Sequence, residues 1–186
     1  MAESGAGSAA GRVIVVGLGN PILGDDGVGW RVADAVEAAL RGRTAEGRSI
    51  GPVEIERLSV GGLRLMEFLT GFDEAILVDA AEFPGRPAGE VRSCRLEELE
   101  TRGAGHLDSA HDVPLTAALD MGRRLGARLP SSIWVVTVQI VRSDEFGEAL
   151  SPAVEAAVPV ASTEIVRLLG TPLSDDWPIQ EGPAVG

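Results

Sequence analysis

The sequence predicts an α/β protein built as a three-layer sandwich, a mostly parallel twisted sheet with helices on both faces. Three observations carry this. Arg12–Leu18 (RVIVVGL), Ala75–Val78 (AILV) and Ile133–Val138 (IWVVTV) hold apolar, β-branched runs of the kind buried on both faces of a parallel sheet. Segments with helical periodicity separate them. The length of 186 residues suits one domain with its own core.

After the first strand comes a glycine-rich turn, and then Val28, Val32, Ala35, Val36 and Ala39 recur at helical spacing. Residues 41–51 (RGRTAEGRSIG) read as a polar loop, and Val53–Leu58 alternates like a half-buried strand. Gly61–Leu69 reads as a short helix, and the run at 75–78 ends at Asp79. Glu90–Leu96 alternates and reads as an edge strand; 100–111 reads as a loop. Val113–Leu129 is predicted helical, with Leu115, Ala118, Leu119, Gly122 and Leu125 on its inner face, and Pro152–Leu169 forms the last helix. Residues 1–11 read as a flexible leader, 12–169 as the single domain and 170–186 as a flexible acidic Pro/Gly-rich tail.

The formal charge is −12, and every basic residue is arginine. Such a chain is repelled by nucleic acid and by anionic membrane surfaces. No stretch approaches the roughly 20 apolar residues of a membrane-spanning helix, and the opening MAESGAGSAAG lacks the pattern of a secretory signal. Cys94 is the only cysteine, so no internal disulfide forms and no cysteine-based zinc site exists within the chain; a cytoplasmic location is expected. With His106 and His111 the only histidines, any metal site must lean on carboxylates.

In parallel sheets ligands bind beyond the carboxyl ends of the strands, which directs attention to the residues after Leu18, Val78 and Val138. The first place is Gly17-Leu-Gly-Asn-Pro-Ile-Leu-Gly-Asp-Asp-Gly27. It is no dinucleotide fingerprint. Ile22 stands at the third glycine position, and Leu58 and Ser59 stand where the second strand would end in an acid. Of Asp25 and Asp26, helix capping needs one, which leaves the other for a second role. Asp79 ends a buried run, where a charge must be paired, hydrogen-bonded or metal-bound.

His111 lies in Ser109-Ala-His-Asp-Val-Pro-Leu115. With Asp112 as N-cap and Pro114 in the first turn, His111 falls just outside the helix, whose positive end favours a neutral, ligand-competent ring. His106, in a glycine-containing loop, is the second choice. Two carboxylates and one imidazole suit a divalent ion such as nickel or zinc with positions left open for substrate or water. A serine or cysteine hydrolase fits less well: there is no GxSxG motif, and Cys94 reads as a packed edge-strand thiol.

At these residues the chain resembles the hydrogenase maturation endopeptidases, which trim the C-terminal extension from the large subunit of nickel–iron hydrogenases. The matching pieces are VIVVGLGNPILGDDGVGWRVADAV at 13–36, AILVDA at 75–80, SAHDVPL at 109–115 and LSPAVEAAVP at 150–159, in the family's order. The resemblance implies an α/β sandwich and three metal-contacting residues: an acid in the glycine-rich turn, an Asp ending a strand and a His before a helix. These fall on Asp26, Asp79 and His111. It further implies that nickel arrives with the precursor and is recognised there, rather than being stably held by the protease. Gly19, Asn20, Asp25, Gly61 and Gly62 are then expected to support the loops around the substrate.

One departure stands out: where the family commonly carries Asp-Gly-Gly-Thr, this chain reads Leu58-Ser-Val-Gly-Gly-Leu63. The alternatives are a non-catalytic nickel-binding or metal-delivery module using the same residues, and a peptidyl-tRNA hydrolase-like esterase. The esterase needs a His and Asn soon after the turn, where this chain has GDDGVGW.

Overall fold

The computed structural model describes residues 11–41, 52–101, 113–141 and 146–170. Apart from Gly11 and Gly170, the predicted leader and tail, like both histidines, lie outside the described residues. Five strands form one sheet: β1 (Val13–Leu18), β2 (Val53–Leu58), β3 (Glu74–Ala81), β4 (Val91–Arg95) and β5 (Ser132–Gln139). Their spatial order is β2-β1-β3-β5-β4. All pairs are parallel except β4 with β5, so the predicted edge strand is the one antiparallel member.

Alternation along the central strands sends successive side chains to opposite faces. Val15, Ile76, Val78, Val136 and Val138 face α1 (Val28–Arg41) and α5 (Pro152–Leu169). On the other side Ile14, Val16, Leu77 and Val135 meet α2 (Gly62–Leu69) and α4 (Leu115–Arg124). The expected three-layer sandwich is therefore the observed one. No described helix is long and apolar enough to cross a membrane.

Several element boundaries differ from the sequence reading. The structure starts α4 at Leu115 with Pro114 as N-cap (φ −50°, ψ 140°), not with Asp112 in that place. Proline pushes the residue before it toward extended backbone and holds off the helix. The helix ends at Arg124 rather than Leu129, because Gly126 adopts φ 85°. Ala127 N–H then bonds the Gly122 carbonyl (2.9 Å) and Gly126 N–H that of Arg123 (3.0 Å), the paired bonds of a Schellman stop. Leu125, expected on the inner face, is the C-cap and 81% exposed. Residues 96–101, part of which read as loop, form the short helix α3 (Leu96–Thr101). On α1 the buried face carries Ala33, while Ala39 is exposed.

The closest packing joins α1 to the sheet through two glycines. A Cβ on Gly29 would lie 2.1 Å from the Leu18 carbonyl oxygen and 2.6 Å from that of Val78. One on Gly17 would lie 2.3 Å from the Gly29 oxygen. These neighbours are backbone and cannot swing aside. Gly29→Ala is therefore expected to destabilise the fold by at least about 1–3 kcal/mol, the usual cost of overpacking. Urea unfolding of this variant beside Ala38→Gly, an exposed change on the same helix expected to cost only about 1 kcal/mol, checks it.

Candidate active site at the strand switch point

From β1 the chain crosses to β2 on one side of the sheet, while from β3 it continues toward the other side. The connections part beyond the carboxyl ends of β1 and β3, the switch point at which open α/β sheets form their binding crevice. Pairing of β1 with β3 ends at Gly17 and Val78, whereas β3 runs on beside β5 through Asp79, Ala80 and Ala81. Asp79 therefore sits inside its strand rather than beyond its end. β5 holds one side of it, and β1 has already turned away on the other.

The turn after β1 is held by its own hydrogen bonds. Gly19 adopts φ 121°, and a Cβ there would lie 1.9 Å from the Asp26 carbonyl oxygen, so only glycine fits. Asn20 Oδ1 accepts from Ile22 N–H (3.2 Å), and Leu23 N–H donates to the Asn20 carbonyl (3.1 Å). A single 3₁₀ turn, Gly24–Gly27, follows and runs directly into α1. In it the two aspartates separate. Asp25 Oδ1 accepts from Ser151 N–H (2.6 Å), the N-cap residue of α5, while Asp26 Oδ2 accepts from Asn20 N–H (2.7 Å). Asp25 thus joins the turn to the last helix, assisted by Gly24 N–H on the Gly147 carbonyl (2.6 Å). Asp26 braces the turn internally.

Asp79 is 6% exposed and takes one hydrogen bond from Ala80 N–H to Oδ1 (2.9 Å). Burial pushes its carboxyl up to about 7, the charge of Asp26 adds to the rise, and the Ala80 bond opposes it. By strand alternation Asp79 faces the α2/α4 side, in register with the buried Thr137 of β5. Two carboxylates close enough to repel, one of them desolvated, are relieved by a proton or a cation.

Gly61 and Gly62 lie at the start of α2, beyond the end of β2, with Gly62 at φ 47°. His111 and His106 lie outside the described residues, and among those described no three His, Cys, Asp or Glu side chains are grouped to hold a metal. α4 returns to β5 at the strands' amino ends, where Gly71 N–H donates to the Arg128 carbonyl (2.7 Å). Its first residues, Leu115 onward, therefore start at the carboxyl edge, on the face of Asp79. Sequence reasoning missed Ser59, whose hydroxyl donates to the Gly19 carbonyl (2.7 Å). A polar residue directly after β2 was the available signal. Cys94 is a half-buried thiol on β4, packed against the α2/α4 core.

A family model described as hydrogenase maturation protease matches residues 58–168. The chain is 29% identical over 160 residues to the hydrogenase 2 maturation protease of Escherichia coli (strain K12), covering 85% of this chain and 90% of that one. To the hydrogenase expression/formation protein HupD of Rhodobacter capsulatus it is 28% identical over 160 residues, covering 85% and 71%. Among solved structures it is similar to the hydrogenase maturating endopeptidase HybD from E. coli, with a TM-score of 0.65, 27% identity, and 86% and 92% of the two chains covered.

The Asp79 carboxyl carries a pH signature. Its folded value, about 7, lies above the ordinary 3.8, so folding takes up a proton between the two. The penalty is absent below the lower value, grows as pH rises, and is complete above the upper one, where it is on the order of 4 kcal/mol. Asp79→Asn keeps an acceptor for Ala80 N–H and removes the penalty. In metal-free buffer the variant is expected to unfold at higher urea than the parent at pH 8.5, with the gap closing toward pH 4. A gap independent of pH would contradict the buried-carboxyl assignment.

Proposed function

The chain belongs to the hydrogenase maturation protease family, and from that premise we propose that it removes the C-terminal extension of a nickel-loaded nickel–iron hydrogenase large-subunit precursor in the cytoplasm. Asp26, Asp79 and His111 contact the nickel that the precursor brings. The observation that carries this reading is the buried Asp79 carboxyl, raised by desolvation and by Asp26 at a strand-end crevice. A divalent cation delivered there offsets both costs at once. The start of α4 at the same edge and face supports His111 as the third contact, since only Asp112, Val113 and Pro114 separate it from that helix.

Nickel enters as part of the substrate. A pair of carboxylates of which one still holds a proton near neutral pH is a weak site for a free ion, because the proton must leave first. Docking of the precursor supplies the ion together with its remaining ligands. Bound against Asp26 and Asp79, the ion polarises the scissile carbonyl or activates a water, and the peptide is hydrolysed. Precursor without nickel lacks the feature that these residues recognise and stays uncut. Family membership weighs against the esterase alternative.

Mixing the protein with nickel-loaded and nickel-free precursor tests the reading by mass spectrometry of the large subunit. Loss of a short C-terminal peptide from the loaded form only is expected. Cleavage of both forms alike, or of neither, would overturn it, and tight nickel binding without cleavage would favour the metal-delivery module. Asp26→Ala, Asp79→Ala and His111→Ala are each expected to bring processing below detection while circular dichroism stays that of the parent. Full processing by any of the three removes that residue from the site.

A further inference from the structure

Ser59 is the first residue after β2, and it is tied to Asp26 through a single peptide group. Its Oγ donates to the Gly19 carbonyl (2.7 Å), and Asn20 N–H, the other end of the same peptide, donates to Asp26 Oδ2 (2.7 Å). The peptide unit is planar, so its two ends cannot turn independently. Gly19, at φ 121°, gives this unit wide rotational freedom, and a bond at the carbonyl end is what removes it.

Ser59 is itself anchored. Leu58 pairs with Leu18 at the end of β2 and is buried, and its carbonyl accepts from Trp30 Nε1 (3.3 Å) of α1. We propose that Ser59 is a positioning residue for the Asp26 carboxylate, acting through the Gly19–Asn20 peptide. This rests on the reading of Asp26 as a nickel contact. The hydrogen bonds run in one direction, hydroxyl to carbonyl and N–H to carboxylate, so each polarises the next. Asp26 Oδ2 is thereby fixed, and the other oxygen, Oδ1, is left for an ion.

Ser59 is exposed, yet a water in place of its hydroxyl is not tethered to β2 and leaves the Gly19–Asn20 peptide free to turn. Ser59→Ala is expected to lower kcat for the loaded precursor about three- to tenfold with KM unchanged. Ser59→Thr, which keeps the hydroxyl, is expected to restore it. In the protein alone, Asn20 N–H exchange with solvent is expected to speed about fivefold or more in Ser59→Ala and to stay at the parent's rate in Ser59→Thr.

Unchanged Asn20 exchange in Ser59→Ala overturns the proposal, and so does faster exchange with an unaltered kcat. A thermal shift without either effect assigns Ser59 a structural role only and overturns it equally. Should the parent chain cut no precursor, the reading of function fails, while the exchange measurement still decides whether Ser59 holds the peptide.

Discussion

The backbone contact between α1 and the sheet at Gly17 and Gly29 sets the geometry on which the crevice depends. With no Cβ at either position, the helix lies directly against the carbonyls of Leu18 and Val78, the last paired row of β1 and the row before Asp79 on β3. A helix seated this low leaves the turn from Gly19 to Gly27 no route away from the sheet. The turn must fold over the strand ends, close on itself through the Asn20–Asp26 bond, and enter the helix within one 3₁₀ turn. Asp26 lies near enough to Asp79 to raise its carboxyl on a turn whose seat depends on two missing side chains.

The second constraint is a difference in strand length. β3 and β5 pair three residues beyond the last β1–β3 pair, so Asp79 is embedded in a ladder on one side only. That position secures its backbone, as a strand does, and yet exposes its carboxyl to the repulsion of Asp26 rather than to a neutralising partner. Most described arginines of this acidic chain are spent elsewhere, for example Arg57 on Asp34 and Glu37, and Arg128 on Asp73. Among the described residues no ion pair reaches Asp26 or Asp79, and the two carboxyls face each other's charge. Such a site costs folding stability, which accords with the cation-receiving role proposed for it.

The fold was largely legible in the sequence because its core strands are buried on both faces, which leaves uninterrupted runs such as VIVV and AILV. The antiparallel β4 was legible for the opposite reason, the alternation of an edge. Boundaries set by local backbone chemistry were less so. Pro114 holds the chain extended before α4, Gly126 stops it early, and the six residues of α3 are too few to display a period. Asp79 could be picked out from its apolar neighbours, but its place inside the strand depends on how far β5 extends. Asp25 and Asp26 could not be told apart by pattern. A 3₁₀ turn rotates successive side chains by about 120°, and this sends one to α5 and the other into the turn.

Ser59 escaped sequence reasoning because it acts on backbone, and backbone partners leave no trace in residue spacing. Its placement also gives physical sense to the departure at Leu58-Ser-Val-Gly-Gly-Leu63. The glycine pair still opens α2, with Gly62 at φ 47°, so the path of the loop does not rest on an acidic residue before it. The hydroxyl of this loop stands directly after Leu58, one residue beyond the buried end of β2, where the Trp30 bond to the Leu58 carbonyl holds it. From there it reaches the Gly19 carbonyl across the strand pair. A loop that lacks the usual acid therefore still braces the glycine turn, through the first residue to leave the second strand.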